Sequence, residues 1–382
     1  MAKRKINKIK TLLVSALCLI VGFVSGFVAN IFSSLPDSFE IPAAVQGSSH
    51  VHSNGEISVE TVKSDDLSIH FLELGNKYTG DCTFIKVGDT EMLIDAGSRA
   101  TSVQTIKNYI DQYCTDKVLE YVVVTHAHQD HYAGFATSDF EDSIFAFFEV
   151  ETIIEFAQTN QNPDKGLYKN YIENKTQESS TVLKATDCLN KTYTLGDVSK
   201  NVSFEVLDQK FYREPANSEN DYSVCLQITH EGKKFLFTGD LEEDGESSLV
   251  DLNKGKLSQV EVYKAGHHGS KTSSSQKLLD VIKPKIVCVC CCAGSSEYTS
   301  KNENQFPTQA FIDRVSVHTS NIFVTTLCTN YAEAKFESLN GNIVISSNST
   351  QNVTCSFSNN DTKLKDTEWF KANRKLPENA VA

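Results

Sequence analysis

The stretch that most constrains this chain is an apolar, β-branched run that ends in a cluster of histidines. Residues 118–126 read VLEYVVVTH, and the next five positions add two more histidines with an aspartate before the last. A run of this length and composition predicts a buried strand. Loops that leave the carboxyl ends of such strands are where α/β folds hold ligands. The run therefore predicts an α/β fold with a polar site at a strand end.

The cluster consists of His126, His128, Asp130 and His131. Side chains two positions apart in an extended segment point the same way, so His126 and His128 should face one point. The turn that follows can bring Asp130 and His131 to a second point nearby. Imidazole and carboxylate groups are ligands for zinc, manganese and iron. Since the chain has only 10 histidines in 382 residues, this grouping predicts two neighbouring metal sites.

Two further polar clusters follow predicted strands later in the chain. Asp240 ends one of them, and the sequence KAGHHGS, residues 264–270, places His267 beside His268. A pair of metal ions needs a bridging anion and ligands from more than one segment. Asp240 could supply the bridge, and His267 or His268 could supply a further ligand.

The body of the chain alternates between short strands and helices. Strands are predicted at 67–74, 82–88, 90–97, 118–126, 204–208, 222–240 as a hairpin, 260–266, 285–292 and 322–326, and helices at 102–114, 144–158, 274–282 and 307–315. Residues 141–220 carry no recognisable motif and are expected to line the pocket.

Residues 1–35 form a separate unit with a basic head. Residues 11–32 carry no charge and are long enough for the roughly 20 residues that a helix needs to cross a bilayer. We expect an uncleaved transmembrane anchor there, with the bulk of the chain outside the cytoplasm. A cleaved signal, which would give a secreted protein, is the alternative.

Three further regions follow this unit. Residues 36–66 are rich in Ser, Gly, Pro and acids and are expected to form a linker. Residues 67–348 form the main domain. Residues 349–382 are expected to form a weakly ordered polar tail with a short docked helix near Trp369.

Charge and cysteine content restrict the possible partners and the covalent structure. The net charge is −13, and five of the positive charges lie in the first ten residues, so the body is more acidic still. Such a body repels a phosphate backbone, which disfavours extended nucleic acid as a partner. Ten of the 11 cysteines follow the predicted anchor, and CVCCC at 288–292 resembles a buried strand. We expect mostly free, buried thiols, with disulfides as the alternative.

These motifs resemble those of the metallo-β-lactamase-fold hydrolase superfamily, especially the hydrolase domain of ComEC-type DNA-uptake proteins. THAHQDH is similar to the H-x-H-x-D-H signature of that superfamily. The other matching features are Gly80-Asp81, LIDAG with Asp95, NDYS with Asn220 and Ser223, TGD with Asp240, and KAGHHGS. The resemblance runs from about 67 to 346. It implies an αββα sandwich of two facing sheets, with helices outside and metals at one edge.

The resemblance also implies roles for the individual residues. His126 and His128 would hold the first metal, Asp130 and His131 the second, and Asp240 would bridge them. His267 would complete the second site.

Several other residues are expected around these ligands. His268 would face the substrate and act with Asp130 in catalysis, and Lys264 is a weaker candidate for assisting the leaving group. Asp95 would orient a ligand histidine, and Asp81 would lie beside the centre. Asn220 and Ser223 stand where many members have a third histidine for the first metal.

The expected function is metal-dependent hydrolysis of a phosphoester, most of all a phosphodiester, outside the membrane. Two divalent metals, zinc or else manganese or iron, would lower the pKa of a shared water and generate hydroxide. The substrate would be a small phosphoester or a substituent of a surface polymer. The alternatives are a lactone or thioester hydrolase and a degenerate binding module anchored at the surface.

Overall fold

Two eight-stranded β-sheets form the framework of the computed structural model, which describes residues 50–51, 57–58, 67–349 and 353–381. The strands, in chain order, are β1 (His50–Val51), β2 (Ile57–Ser58), β3 (Leu67–Phe71), β4 (Thr83–Val87), β5 (Thr90–Ile94), β6 (Val118–Val124), β7 (Glu149–Glu155), β8 (Thr181–Lys184), β9 (Tyr193–Thr194), β10 (Val202–Leu207), β11 (Cys225–His230), β12 (Lys233–Phe237), β13 (Val262–Lys264), β14 (Ile286–Ala293), β15 (Ile322–Asn330), β16 (Lys335–Ser338), β17 (Ile343–Ser347) and β18 (Thr354–Phe357). The α-helices of the described residues are α1 (Val103–Ile110), α2 (Gln129–Tyr132), α3 (Ile144–Phe147), α4 (Gly166–Lys175), α5 (Glu243–Leu252), α6 (Gln276–Ile282), α7 (Gln309–Val315) and α8 (Glu368–Asn373).

The two sheets have similar plans, and the second adds an antiparallel strand, β16, beyond its parallel strands. The first has the order β18-β17-β3-β4-β5-β6-β7-β8, and the second has the order β16-β15-β14-β13-β12-β11-β10-β9. In each, an antiparallel run gives way to parallel pairing, from β5 to β8 in the first sheet and from β12 to β15 in the second. Parallel strands need coverage on both faces, which the second sheet obtains from the first sheet on one side and from helices on the other.

Side-chain alternation along the strands builds these layers. Phe235 and Phe237 on β12 join the core between the sheets, whereas Leu236 joins a second core with α5, α6 and α7. Phe71 of β3 stacks on Phe237 across the gap, with ring centroids 6.1 Å apart. On the outer side of the first sheet, His70 contacts Tyr109 of α1. The predicted sandwich of two sheets with outer helices is confirmed.

One predicted helix is wrong. The segment 144–158 was expected to be helical, but the helix there is limited to Ile144–Phe147, and Glu149–Glu155 forms β7. Val150, Ile153 and Ile154 are fully or almost fully buried in a strand that lies between β6 and β8. Their β-branched side chains suit a buried parallel strand better than a helix, and tertiary pairing decides the outcome.

The C-terminal residues differ from the weakly ordered tail that their composition predicts. Residues 354–357 form β18, which pairs with β17 at the edge of the first sheet. The docked helix near Trp369 is present as α8, and its Phe370 lies in the core of the second sheet. Polar composition is compatible with an edge strand because one of its faces is exposed to solvent.

The cysteines behave as the sequence predicts in the described part of the chain. The ten cysteines from Cys82 onwards are free, and eight of them are buried. The CVCCC segment lies in β14, with Cys288 and Cys290 facing the first sheet and Cys291 facing the helices. Cysteine acts here as a small apolar side chain.

Two predicted regions fall wholly or mainly outside the described residues. The predicted anchor, 11–32, lies outside them, as does most of the predicted linker, 36–66, apart from the short pairing of β1 with β2. Among the residues that the structure does describe, no helix has both the length and the apolar character needed to cross a membrane.

His70 is a buried histidine with no role in the clusters above. Its Nδ1 lies 2.7 Å from the Tyr109 hydroxyl and its Nε2 lies 2.9 Å from Ser68 Oγ. Burial, with a smaller effect of the Lys86 charge, lowers the pKa of His70 from 6.5 to about 3. A depressed folded-state pKa means that the neutral ring is required in the fold, so its stabilisation is complete above pH 6.5 and is lost as the pH falls towards 3.

We therefore expect acid to destabilise the wild-type chain more than a His70→Gln variant, because the amide stays neutral. At pH 5 His70 is protonated in the unfolded chain but neutral in the folded one. The free energy of unfolding of the wild type should therefore be about 2 kcal/mol lower at pH 5 than at pH 8 on account of this residue. Urea unfolding of both proteins at the two pH values measures this difference. Equal acid sensitivity of the two chains would contradict the assignment.

Candidate metal centre

Four strand ends meet at one edge of the sandwich. Asp95 and His126 follow the neighbouring parallel strands β5 and β6, and Asp240 and His267 follow the neighbouring parallel strands β12 and β13. The chain is very tightly packed here, since a Cβ on Gly97 would come within 1.6 Å of the Asp130 carbonyl oxygen. The backbone N–H of Asp81 donates to that same carbonyl at 2.9 Å. Backbone contacts therefore hold the segments of Asp81 and Gly97 directly against the turn at Asp130.

The first predicted pair of ligands is brought together. His126 Nε2 lies 3.1 Å from His128 Nδ1, so two ring nitrogens face one point. His126 is fully buried, and its other nitrogen lies 3.2 Å from Thr125 Oγ1 and 3.4 Å from Ser223 Oγ. This is the arrangement that the alternation of His126 and His128 predicts.

A second group of ring nitrogens and carboxylates lies beside the first. The Nε2 atoms of His131 and His268 are 3.2 Å apart. Asp240 Oδ2 lies 3.2 Å from the first of these atoms and 3.4 Å from the second. Asp130 Oδ2 lies 3.4 Å from His268 Nε2. The four side chains converge on one buried point.

The two adjacent histidines occupy the reverse of their predicted positions. His267 was expected at the second metal site and His268 towards the substrate, but His268 is fully buried in the cluster, while the His267 side chain is 20% exposed. Both residues have left-handed backbone conformations, with φ of 48° and 53°. This backbone turn directs the second ring inwards and leaves the first at the open side, where its Nδ1 lies 3.1 Å from Thr272 Oγ1.

Two carboxylates lie behind the histidines, as the resemblance implies. Asp95 Oδ2 is 2.7 Å from His131 Nδ1, and Asp95 also accepts hydrogen bonds from the backbone and hydroxyl of Thr125. Asp81 Oδ1 is 3.1 Å from His268 Nδ1. A carboxylate at Nδ1 orients the ring and leaves Nε2 to face the centre.

Lys264 is part of this support and does not face the open side. Its side chain is 3% exposed and pairs with Asp81, and its Nζ lies 3.9 Å from Asp240 Oδ1. The attraction of these two carboxylates outweighs burial and raises the pKa of Lys264 above its usual range. Its position therefore does not favour the predicted role in assisting a leaving group.

Ser223 and Asn220 have different surroundings. Ser223 Oγ contacts His126 and accepts a hydrogen bond from the Asp240 backbone N–H at 2.9 Å. It therefore connects the two clusters through the rear of His126. The Asn220 amide nitrogen lies 3.2 Å from Glu242 Oε1 and 3.5 Å from His267 Nδ1, and its buried carbonyl oxygen has no hydrogen-bond partner.

The charges of the buried carboxylates and histidines shift one another's pKa values. Burial alone would lower the pKa of His131, but the charges of Asp240 and Asp95 outweigh it and raise that pKa to about 10. Burial would raise the pKa of Asp240, but His131 and His268 hold it well below its usual range. His126 is the exception, because burial and the neighbouring His131 lower its pKa.

The residues fit a pair of divalent cations by the chemistry of their donors. Nitrogen atoms of two imidazoles face each other in each cluster at hydrogen-bonding distance, and Asp240 contributes a carboxylate between the rings of the second cluster. Asp240 Oδ1 is buried with no hydrogen-bond partner, so an acceptor at the centre lacks a donor in the described structure. Imidazole and carboxylate donors suit zinc, manganese and iron.

Sequence reasoning missed Tyr298, which contacts the centre from a loop after β14. Its hydroxyl donates to Asp130 Oδ2 at 2.7 Å, and its ring packs on Phe306 with centroids 5.6 Å apart. The neighbouring Glu297 anchors the loop, because it pairs with Arg99 at 2.6 Å and accepts from the Thr79 backbone N–H at 2.9 Å. No local pattern marks Tyr298, and only its distance from Asp130 in space identifies it.

The fold and the site together define a metallo-β-lactamase sandwich. The family model described as Metallo-beta-lactamase superfamily matches residues 75–138 and 213–293. These two segments contain all the residues predicted to surround the metals. The match confirms the resemblance that the motifs predict.

The curated relatives that match this chain are competence proteins, which agrees with the resemblance of its motifs to those of ComEC-type proteins. Competence protein ComA of Neisseria gonorrhoeae is 39% identical over 110 residues, which cover 28% of this chain and 15% of that protein. ComE operon protein 3 of Bacillus subtilis (strain 168) is 33% identical over 96 residues, which cover 25% of this chain and 12% of that protein. This chain thus matches only a small part of their length. Among solved structures, the metallo-beta-lactamase fold protein YhfI from Bacillus subtilis aligns at 15% identity with a TM-score of 0.34, over 53% of this chain and 71% of that one.

The contact between Tyr298 and Asp130 gives a direct test of the centre. We expect Tyr298→Phe to weaken binding of zinc or manganese about tenfold, because removal of a group that orients a ligand costs this much or more. Competition with a chromogenic chelator measures the affinity.

Tyr331→Phe is the matched control, since Tyr331 stacks near Lys77 and Tyr78 and lies away from the two clusters. Equal metal affinities of the two variants would show that the Tyr298 hydroxyl does not position Asp130.

Proposed function

We propose that this protein is a metal-dependent hydrolase of small phosphodiesters that acts outside the membrane. The observation that carries the proposal is the pair of adjacent ligand clusters at one sheet edge, with Asp240 in contact with the rings of the second. The phosphodiester class is supported by the likeness to the competence proteins. The acidic composition of the chain favours a small substrate over an extended nucleic acid.

In this proposal the two clusters hold one cation each. His126 and His128 would hold the first cation. His131, His268 and Asp130 would hold the second, and Asp240 would supply a further carboxylate, since it contacts the rings of the second cluster. The positions of His267 and His268 motivate this assignment, because His268 is the buried one.

Bound divalent cations supply Lewis acidity, which activates water as a nucleophile and offsets charge in the transition state. The surrounding residues keep the ligands in place for this chemistry. Asp95 accepts a hydrogen bond from His131 Nδ1, and the Cys290 carbonyl accepts one from His268 Nδ1, with Asp81 Oδ1 3.1 Å from the same atom, so each ring presents Nε2 to the centre. Lys264 balances the charge of Asp81 from behind.

His267 takes the position that faces the substrate. Its ring lies at the open side, beside Glu242 at 3.7 Å and Phe306, whose ring centroid is 5.7 Å away. We propose that this imidazole contacts the leaving-group oxygen and donates a proton to it. Phe306 packs on both histidine rings.

Hydrolysis of bis(4-nitrophenyl) phosphate by the full chain, loaded with zinc or manganese, tests the proposal. We expect turnover that falls by about 100-fold or more in Asp240→Asn, since the carboxylate that contacts the second cluster loses its charge. Release of 4-nitrophenol measures the rate.

Asp251→Asn is the matched control, because Asp251 pairs with Lys254 and Lys277 at the surface. We expect it to retain wild-type activity. Hydrolysis of lactones or thioesters without phosphodiester turnover would replace the proposal with carbon-centred hydrolysis. Failure to bind metal would favour a binding module.

A further inference from the structure

A groove of about 390 Å³ opens beside the first cluster. His128 lines it on one side, with Tyr132 of α2. The opposite wall comes from the residues that precede and begin α4, among them Asn162, Lys165 and Tyr168. Because His128 also faces His126, the groove is continuous with the proposed metal site. A substrate bound at the metals would extend into it.

The far wall presents hydrogen-bond donors that no side chain satisfies. Helix α4 runs from Gly166 to Lys175, and its N-cap residue, Lys165, provides no side-chain acceptor to the first turn. The first N–H groups of a helix point outward with a partial positive charge and favour anions. Lys165 adds an exposed ammonium group, which forms no ion pair within the described part of the chain.

Tyr132 provides an independent observation on the opposite wall. The residue is only 3% exposed, yet it lines the groove. Its ring packs edge-on against Tyr171 with centroids 5.7 Å apart. Its hydroxyl forms no hydrogen bond with any other residue that the structure describes. Because this hydroxyl has no acceptor in the described structure and its residue lines the groove, a ligand bound there can accept its hydrogen bond.

The carboxylates near the groove do not cancel these donors. Glu219 is the nearby buried acid, and it already accepts hydrogen bonds from Ala127 N–H at 3.3 Å, Thr159 Oγ1 at 2.7 Å and Asn160 N–H at 2.7 Å. Asp164 is exposed and is not one of the residues that line the groove. The groove therefore combines unused donors with one free cation in a chain that is acidic elsewhere.

We propose that this groove binds a second phosphate group of the substrate, distinct from the phosphodiester that is cleaved. The inference rests on the proposed function for the position of the scissile group. It narrows the substrate class to phosphodiesters that carry an additional phosphate on one side of the scissile bond. Lys165 and the first turn of α4 contact that phosphate, and Tyr132 donates to it or to its ester oxygen.

Calorimetric titration of the metal-loaded full chain with two nucleotides tests this inference without requiring turnover. Thymidine 5′-phosphate offers one phosphate, and thymidine 3′,5′-bisphosphate offers two. We expect the bisphosphate to bind about tenfold more tightly, since a charge-assisted contact contributes at least this much. In Lys165→Met, the two nucleotides should bind with nearly equal affinity.

Lys169→Met is the matched control, because Lys169 lies on the same helix and pairs with Glu173 at 3.2 Å. It should keep the wild-type preference. Equal binding of the two nucleotides by the wild type, or a preference that survives in Lys165→Met, would overturn the inference. A chain that prefers the bisphosphate but hydrolyses no phosphodiester would contradict the proposed function and leave the phosphate groove in place.

Discussion

The contact between Asp95 and His131 is the interaction on which the rest of the centre depends. Asp95 Oδ2 lies 2.7 Å from His131 Nδ1, and the same carboxylate accepts two hydrogen bonds from Thr125. It therefore joins the end of β5 to the end of β6 and fixes the ring of a ligand residue in one step. Because the group is buried, nothing from solvent can replace it, and its loss would leave several polar atoms without partners. Backbone hydrogen bonds between Ala96 and His131, and between Gly134 and Ala96, hold the same two segments together beside this contact.

Most of the fold was predictable because its strands are local patterns. The β-branched run of β6, the cysteine-rich β14 and the hairpin of β11 with β12 each contain enough apolar residues to indicate a strand without knowledge of their neighbours. Prediction failed where pairing partners decide the outcome. Residues 149–155 have apolar positions compatible with either period, and their place between β6 and β8 makes them a strand. Residues 354–357 are polar, and they form a strand because the edge of β17 is available to them.

The candidate centre was predictable in its composition and less so in its arrangement. The motifs identify the residues of both clusters and the carboxylate behind His131. They cannot rank His267 and His268, which are adjacent in the chain, because the left-handed backbone at both positions decides which ring turns inwards. Tyr298 could not be found at all, since it lies 168 positions from the aspartate that it contacts. The motif identifies Lys264 but not its pairing with Asp81, because the end of β13 and the loop of Asp81 meet only in the fold.

Charge balance connects the centre with the composition of the chain. Asp81, Asp95, Asp130 and Asp240 are all buried at one sheet edge, and Lys264 is the one lysine or arginine that pairs with them in the described structure. Buried carboxylates in such numbers require further positive charge, which protonated histidines or bound cations can supply. Cations satisfy this need without occupying Nδ1 of His131 or of His268, which Asp95 and the Cys290 carbonyl already engage. The buried carboxylates therefore favour bound cations at the centre. The donors at Lys165 and the first turn of α4 lie outside this acidic region and are free for an anionic ligand. A chain with a net charge of −13 can thus attract cations to its centre and still present a local site for phosphate beside it.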